Sequence, residues 1–465
     1  MEKYSAINIG PIIATLSMAR KPRELWAASF MFSHLMKCVY SAAGKAKAVI
    51  ISPAKPEKDK NKVGIYPDRI YMKGNVDERS VVSEAVMDFY KDLLGGSDKS
   101  KNPDLSYFNI MSASCDEVND SSAIACLNQQ LDVLELCNYA TDGDAAQSIY
   151  NIISERKNSP LFNLADGKFI KEIKTIEEIA SAQIIDDSSI KEKSHHRYFC
   201  VVQADGDNIG KTVSQPNLPE GKVMEISKRL VEFGNKATNI IEEFGGLPIY
   251  AGGDDLLFLA PVIGKNGKHI FQLLDEIEDK AFIGVHEEVD CASLSFGVSI
   301  SYYKYPLYEA LASARHLLFD IAKDTKRFPN KRAVACSLRK HSGGTFEVAF
   351  SLKDNNLNLK ELFTELINAT TDDYTVSAIA HKVRQNDELV NLVLKEVLND
   401  GKQDRLNALF EKVLEFDAEK EKYFNAVKEL MPILYEEIGE KDYSKTLYSL
   451  LRIAKFIKGE DLHDE

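Results

Sequence analysis

Nowhere does this sequence hold the roughly 18 uninterrupted apolar residues that a membrane-spanning helix requires. Its opening, Met1-Glu2-Lys3-Tyr4-Ser5, lacks the charged-then-apolar run of a secretion signal. Cysteine is sparse: Cys38, Cys115, Cys126, Cys137, Cys200, Cys291 and Cys336 are dispersed and odd in number. That pattern predicts reduced thiols in a cytoplasmic protein and excludes a disulfide-stapled secreted domain. A basic surplus is missing too, with 58 Lys and Arg against 71 Asp and Glu and a net charge of −13. Such a chain does not coat nucleic acid by bulk electrostatics. No internal repeat of fixed period is present.

What is present is ordinary globular material, 44% hydrophobic and 28% charged over 465 residues, enough for roughly two to four domains. The charge is uneven. Residues 346–465 hold 16 basic and 25 acidic side chains, against 42 and 46 in the preceding 345. An acidic tail on a nearly balanced body leaves room for local basic grooves.

Four regions follow from the patterning. Residues 1–95 alternate strand-like segments (Tyr4 to Ile9, Lys47 to Ser52) with helical stripes starting after Pro22 and around Val81–Leu93. The charged stretch from Lys55 to Lys60 reads as a loop. Residues 96–195 read as a mostly helical connection, ending in a linker from Asp186 to His196, with no chemistry assignable. Residues 196–345 are the most regular. Tyr198–Ala204 is an apolar, buried-strand run, and Val223, Ile226, Leu230, Phe233, Ala237 and Ile241 form an amphipathic stripe. A hairpin follows over Leu247–Ala260, then a helix, a strand at Ser293–Tyr302, another helix and a strand at Ala333–Ser337. That order is β-α-β-β-α-β with an added helix and strand, the ferredoxin-like palm arrangement. Residues 346–465 read as an acidic bundle of helices, suited to packing or to docking a partner subunit. The predicted class is α+β: two palms, an inter-palm helical region and a C-terminal helical bundle.

Two acidic clusters stand at strand ends, Asp205-Gly206-Asp207-Asn208-Ile209-Gly210 and Gly252-Gly253-Asp254-Asp255. If the first strand lies beside the hairpin, Asp205 faces Asp254 and Asp255. Converging carboxylates repel unless a cation neutralises them, and hard oxygen ligands suit Mg²⁺ or Mn²⁺ carrying a nucleoside triphosphate. This is the logic of metal-dependent nucleotidyl transfer. Alone, Gly-Gly-Asp-Asp is also a plain hairpin turn. The first cluster is not an EF-hand, because Pro216 stands where a bidentate Glu is required, nor a Walker A loop, because Asp205 stands where a Gly is required.

With these motifs in place, the region resembles the palm shared by nucleotide cyclases and polymerases, and in detail the large subunit of type III CRISPR effector complexes. Leu294-Ser295-Phe296-Gly297-Val298 and Ala322-Lys323 extend the likeness. Ile9-Gly10-Pro11, Ala19-Arg20 and Arg23-Glu24-Leu25-Trp26 resemble the first palm of that subunit in the Cmr (III-B) branch. The resemblance implies an RNA-guided antiviral complex whose palms, on target RNA binding, make cyclic oligoadenylates from ATP. It implies metal binding by Asp205, Asp254 and Asp255, with Asp255 helping to activate the 3′-hydroxyl. Gly252, Gly253 and Ser295 then shape the nucleotide pocket, with Gly206 and Asn208 beside it. Lys323 contacts the triphosphate, or is simply a solvated helix end. It further implies partners: a small subunit on the C-terminal bundle, backbone subunits, and guide and target RNA. S-adenosylmethionine as cosubstrate, and a silent scaffold, stay open as alternatives.

Two departures from the family pattern carry expectations. The His-Asp pair of the nuclease found in many relatives has no counterpart except His463-Asp464, so no DNase activity is expected. Paired Cys-x-x-Cys thiolates between the palms are also lacking, so no structural zinc is expected there.

Overall fold

The computed structural model of the chain describes residues 1–56, 63–95, 107–136, 143–155, 161–162, 173–352, 359–370 and 373–459. Part of the loop expected at Lys55–Lys60, Cys137 and the His463-Asp464 pair lie outside the described residues.

The first unit contains β1 (Glu2–Gly10), α1 (Pro22–Lys45), β2 (Val49–Ser52), β3 (Arg69–Lys73), α2 (Glu78–Leu94), β4 (Asn109–Glu117) and α3 (Asp120–Glu135). Its sheet order is β2-β3-β1-β4, antiparallel throughout. Local signals set the helix ends. Pro22 opens α1 with its fixed φ, the Asp77 side chain accepts from Arg79 N at the start of α2, and Asn119 does the same for α3 through Ser122 N. The sheet runs past residue 95, the edge expected from the sequence. β1 is central, and its second ladder is completed by β4 from Glu2↔Glu117 to Gly10↔Asn109. Without β4 that buried strand would leave a row of unpaired backbone groups.

The second unit contains β5 (Tyr198–Asp207), α4 (Lys222–Phe244), β6 (Leu247–Gly252), β7 (Asp255–Pro261), α5 (Ile270–Glu276), β8 (Ser293–Tyr302), α6 (Leu307–His316), β9 (Ala333–Arg339) and β10 (Thr345–Ser351). The order is β10-β9-β8-β5-β7-β6, with β8 and β9 parallel and the other pairs antiparallel. The four strands β8-β5-β7-β6 repeat the arrangement of the first unit. β10 lies across residue 345, where the sequence reading placed the start of the helical tail.

The apolar run of β5 is explained by burial on both faces. Tyr198, Cys200, Val202 and Ala204 pack with Phe233, Ala237 and Ile241 of α4. Phe199 and Val201 turn the other way, joining Leu247, Ile249, Leu257 and Leu259 against Trp26, Leu25 and Phe32 of α1. The two palms therefore share one core. Backbone pairs reinforce it: Ser29 Oγ donates to the Ile249 carbonyl at 2.9 Å, and Ala251 N donates to the Gly64 carbonyl at 2.9 Å.

Helices Leu359–Ala369, Asp373–Gln385, Asp387–Asp400, Gln403–Lys412, Glu421–Ile438 and Tyr443–Gly459 form the C-terminal bundle, continuous with the core of the second palm. Phe456 meets the Tyr198 ring at 4.7 Å. The stretch expected as a linker is exposed at residues 186–189 but packed at its end. Ser194, His195 and His196 form a buried turn whose two imidazoles meet edge to face, centroids 4.2 Å apart, with Gly459 against His195. Polar composition misled here, because the imidazoles are sealed beneath the last helix. No described helix is long and apolar enough to cross a membrane.

The shared core gives a direct test. Ile249 of the second palm is fully buried against α1, and the chain's single tryptophan, Trp26, is in the first palm. Ile249→Ala should cost about 2–4 kcal/mol. Trp26 fluorescence during denaturant unfolding should report that loss, because the palms unfold together.

Candidate active site

Asp205 and Asp207 end β5, and Asp255 begins β7 after the Gly253–Asp254 turn. Antiparallel pairing of β5 with β7 (Ala204↔Leu256) brings the two acidic strand ends together. Gly206 makes that meeting possible. A Cβ there would lie 2.6 Å from Asp254 Cβ and 2.7 Å from Asp254 Oδ2. Gly253 takes the left-handed φ of +66° that the turn requires, and Gly252 sits beneath the Tyr250 ring. Asn208 is left-handed too, at φ 66°, and its Nδ2 donates to the Cys291 carbonyl at 3.1 Å.

The predicted residues divide between two settings. Asp255 lines a cleft of about 560 Å³ between the palms, with Asn8, Tyr66 and Asp68 from the first and Gln203, Tyr250 and Arg315 from the second. Asp205 is instead engaged by the Lys323 ammonium, which lies 3.0 Å from the Gly206 carbonyl and 3.4 Å from Asp207 Oδ1. Lys323 is not a solvated helix end, since its side chain is only 11% exposed. Ser295 does not open toward the cleft. Its buried hydroxyl donates to Asp207 Oδ2 at 2.7 Å, beside Ser293 Oγ at 3.0 Å and Arg332 N at 3.1 Å. It acts on the site through Asp207.

Four contributors escaped the sequence reading as site residues: Asp68, Asp207, Arg315 and Lys331. Asp207 was in the quoted motif, but its role as the fully buried anion that anchors Lys323, with Lys331 at 3.9 Å, depends on contacts across the fold. Asp68 holds in the first palm the place that Asp255 holds in the second, at the head of the hairpin's returning strand. Ile9 N donates to the Asp68 carbonyl at 3.0 Å, fixing that place. Only the matched topology of two dissimilar sequences could have marked it.

Crowding sets the electrostatics. Asp254 is pushed up to about 6, first by burial and then by the charges of Asp68 and Asp207. Asp255 is held well above the usual carboxylate range by burial, Asp254 and Asp68, against a downward pull from Arg315. Burial likewise raises Asp68. A group of hard oxygen donors this short of positive charge fits Mg²⁺ or Mn²⁺.

Comparison with known proteins bears on the fold that carries this geometry. Residues 198–333 match the family described as Cas10/Cmr2, second palm domain, and residues 4–89 match CRISPR-associated protein Cmr2, N-terminal. Both palms of the chain thus resemble domains of Cas10/Cmr2 proteins. It is 31% identical over 207 residues to the CRISPR system Cmr subunit Cmr2 of Pyrococcus furiosus, a match covering 39% of this chain and 23% of that relative's length. Among solved structures, the type III-B Cmr-beta complex bound to cognate target RNA contains a chain with TM-score 0.62 and 11% identity. That match covers 98% of this chain and 83% of the other. The Csm1-Csm4 cassette in complex with AMPPNP matches with TM-score 0.55 and 12% identity, over 98% and 69% of the respective chains. These likenesses are of fold.

Two outcomes follow. A carboxylate must be ionised to bind a divalent ion, and Asp254 is ionised only above about 6. Mn²⁺ binding, followed by electron paramagnetic resonance of the free ion, should therefore hold steady above neutrality and weaken as pH falls through that value. The sign for folding is opposite. A raised carboxyl pKa means the folded chain holds more protons than the unfolded one, so the metal-free fold loses stability as pH rises through the same range. Separately, Gly206→Ala should displace the Asp254 turn, weakening Mn²⁺ binding at least about tenfold and destabilising the fold by ~1–3 kcal/mol. Titration and thermal melts of the same variant check both.

Proposed function

We propose that this chain is the palm subunit of an RNA-guided type III antiviral complex in the cytoplasm, where it converts ATP into cyclic oligoadenylates when target RNA binds. The observation that carries this reading is the cleft, where Asp68 of one palm faces the same space as Asp255 and Arg315 of the other. In support, Csm1-Csm4 cassettes of the same fold are described in complex with one ATP, with pppApA and with cA4.

On this reading Asp205, Asp254 and Asp255 hold Mg²⁺ or Mn²⁺. When bound, such ions stabilise charge on the attacking and leaving oxygens. Asp255 takes the proton of the 3′-hydroxyl. As the 3′-oxygen bonds to the α-phosphorus, the bond to the β-phosphate oxygen breaks and pyrophosphate departs. Lys323 exchanges Asp205 for the triphosphate, and Arg315 faces the cleft from the other side. Gly252 and Gly253 leave the turn open to a base or phosphate. Ser295 keeps Asp207, and through it Lys323, in place.

The partners are a small subunit on the C-terminal bundle, backbone subunits, and guide and target RNA held through the complex. Leu389, Leu392 and Phe416 support the first of these: they stand 41%, 53% and 41% exposed on the bundle.

The assembled complex, given ATP, Mg²⁺ and target RNA, should yield cyclic oligoadenylate by mass spectrometry. The Asp254→Ala/Asp255→Ala variant should lose about a thousandfold or more of that rate. A product found only when S-adenosylmethionine is added would move the reading to that cosubstrate. No product from either protein would leave a scaffold and overturn it.

A further inference from the structure

Away from the cleft, α1 and α2 bring three metal-ligating groups together on the helical layer of the first palm. His34 and Cys38 are four residues apart on α1, so they share a face. Asp92 reaches them from α2, its Oδ2 2.9 Å from His34 Nε2. Ligand atoms of all three residues lie within 4.8 Å of one another. Cys38 is 7% exposed, and its thiol is in no disulfide. The Asp92 side chain is 37% exposed and opens the group to solvent.

We propose that His34, Cys38 and Asp92 form a zinc site that ties α1 to α2. A thiolate, an imidazole and a carboxylate are the donor types zinc takes, and three protein ligands leave a fourth position for water. Tetrahedral ligands at zinc distances stand roughly 3.3–3.8 Å apart. Seating the ion therefore needs the His34–Asp92 pair to part by under about 1 Å and the wider separations of the group to close by up to roughly 1–1.5 Å. The ion takes Cys38 as thiolate, one Asp92 oxygen and His34 through Nε2. The thiol proton, with any proton held by the His34–Asp92 pair, passes to solvent. Around the group, Phe30 and Phe89 flank the imidazole, each 6.3 Å away. Asp88, Lys37 and Lys45 are the other charges acting on Cys38. Burial, then Asp92 and Asp88, push the thiol up to about 12. The absence of paired thiolates in the sequence excluded a Cys-rich site; the fold assembles a mixed one from residues 34, 38 and 92.

The test uses the full chain, stripped with chelator and titrated with Co²⁺. One equivalent should bind with a sulfur-to-cobalt charge-transfer band and intense tetrahedral d–d absorption, both abolished by added Zn²⁺. Cys38→Ser should remove the charge-transfer band. Asp92→Asn, a change at a partly exposed position, should weaken binding by at least the roughly tenfold that loss of an outer-shell partner costs. The Asp254→Ala/Asp255→Ala variant should keep the band, which separates this site from the nucleotide site. Absence of the band from the parent chain, or its persistence in a folded Cys38→Ser variant, overturns the proposal. So does unchanged Co²⁺ affinity in Asp92→Asn.

Discussion

Carboxylates crowded at one point are the constraint on which this structure turns. Asp254 and Asp255 occupy a tight turn, with Asp68 facing them from the other palm and Asp207 buried beside them. Like charges so placed oppose folding, so the rest of the molecule must hold them there. The shared core between α1 and the β5-β7-β6 face does this, helped by the Ala251–Gly64 backbone bond that pins the first palm's loop to the hairpin. Ser293, Ser295 and the Arg332 amide satisfy Asp207, which in turn anchors Lys323.

Much of the second palm was legible because its signals are local. A strand buried on both faces must be apolar, and a Gly-Gly-Asp-Asp turn between two apolar runs must be a hairpin. The C-terminal helices were legible from their periodicity. What escaped depends on contacts distant in sequence. β4 and β10 are recognisable only from the strands they complete. Asp68 is recognisable only once the two palms are compared element by element. Ser295 was expected at the nucleotide and is found behind Asp207, because strand alternation and twist at the end of β8 are not readable from residue type. The His195-His196 turn looked like a linker because its polarity gave no hint that a helix some 250 residues later would cover it.

The acidity of the tail also takes on a different meaning. The bundle is no detached appendage: its apolar interior runs into the second palm through Phe456 and Tyr198. Its surplus of acidic side chains is therefore a property of the molecule's surface. The bundle and the second palm beneath it share one hydrophobic cluster.

The central claim is that the nucleotide site is built by both palms, and Asp68 is where it can be tested. The decisive measurement is the affinity of the full chain for Mn²⁺ at pH 7.5, with and without Asp68→Asn. If the first palm's carboxylate belongs to the site, its loss should weaken binding several-fold, roughly what one nearby charge contributes in a partly hydrated cleft. An affinity unchanged by Asp68→Asn would contradict the account and leave the second palm working alone.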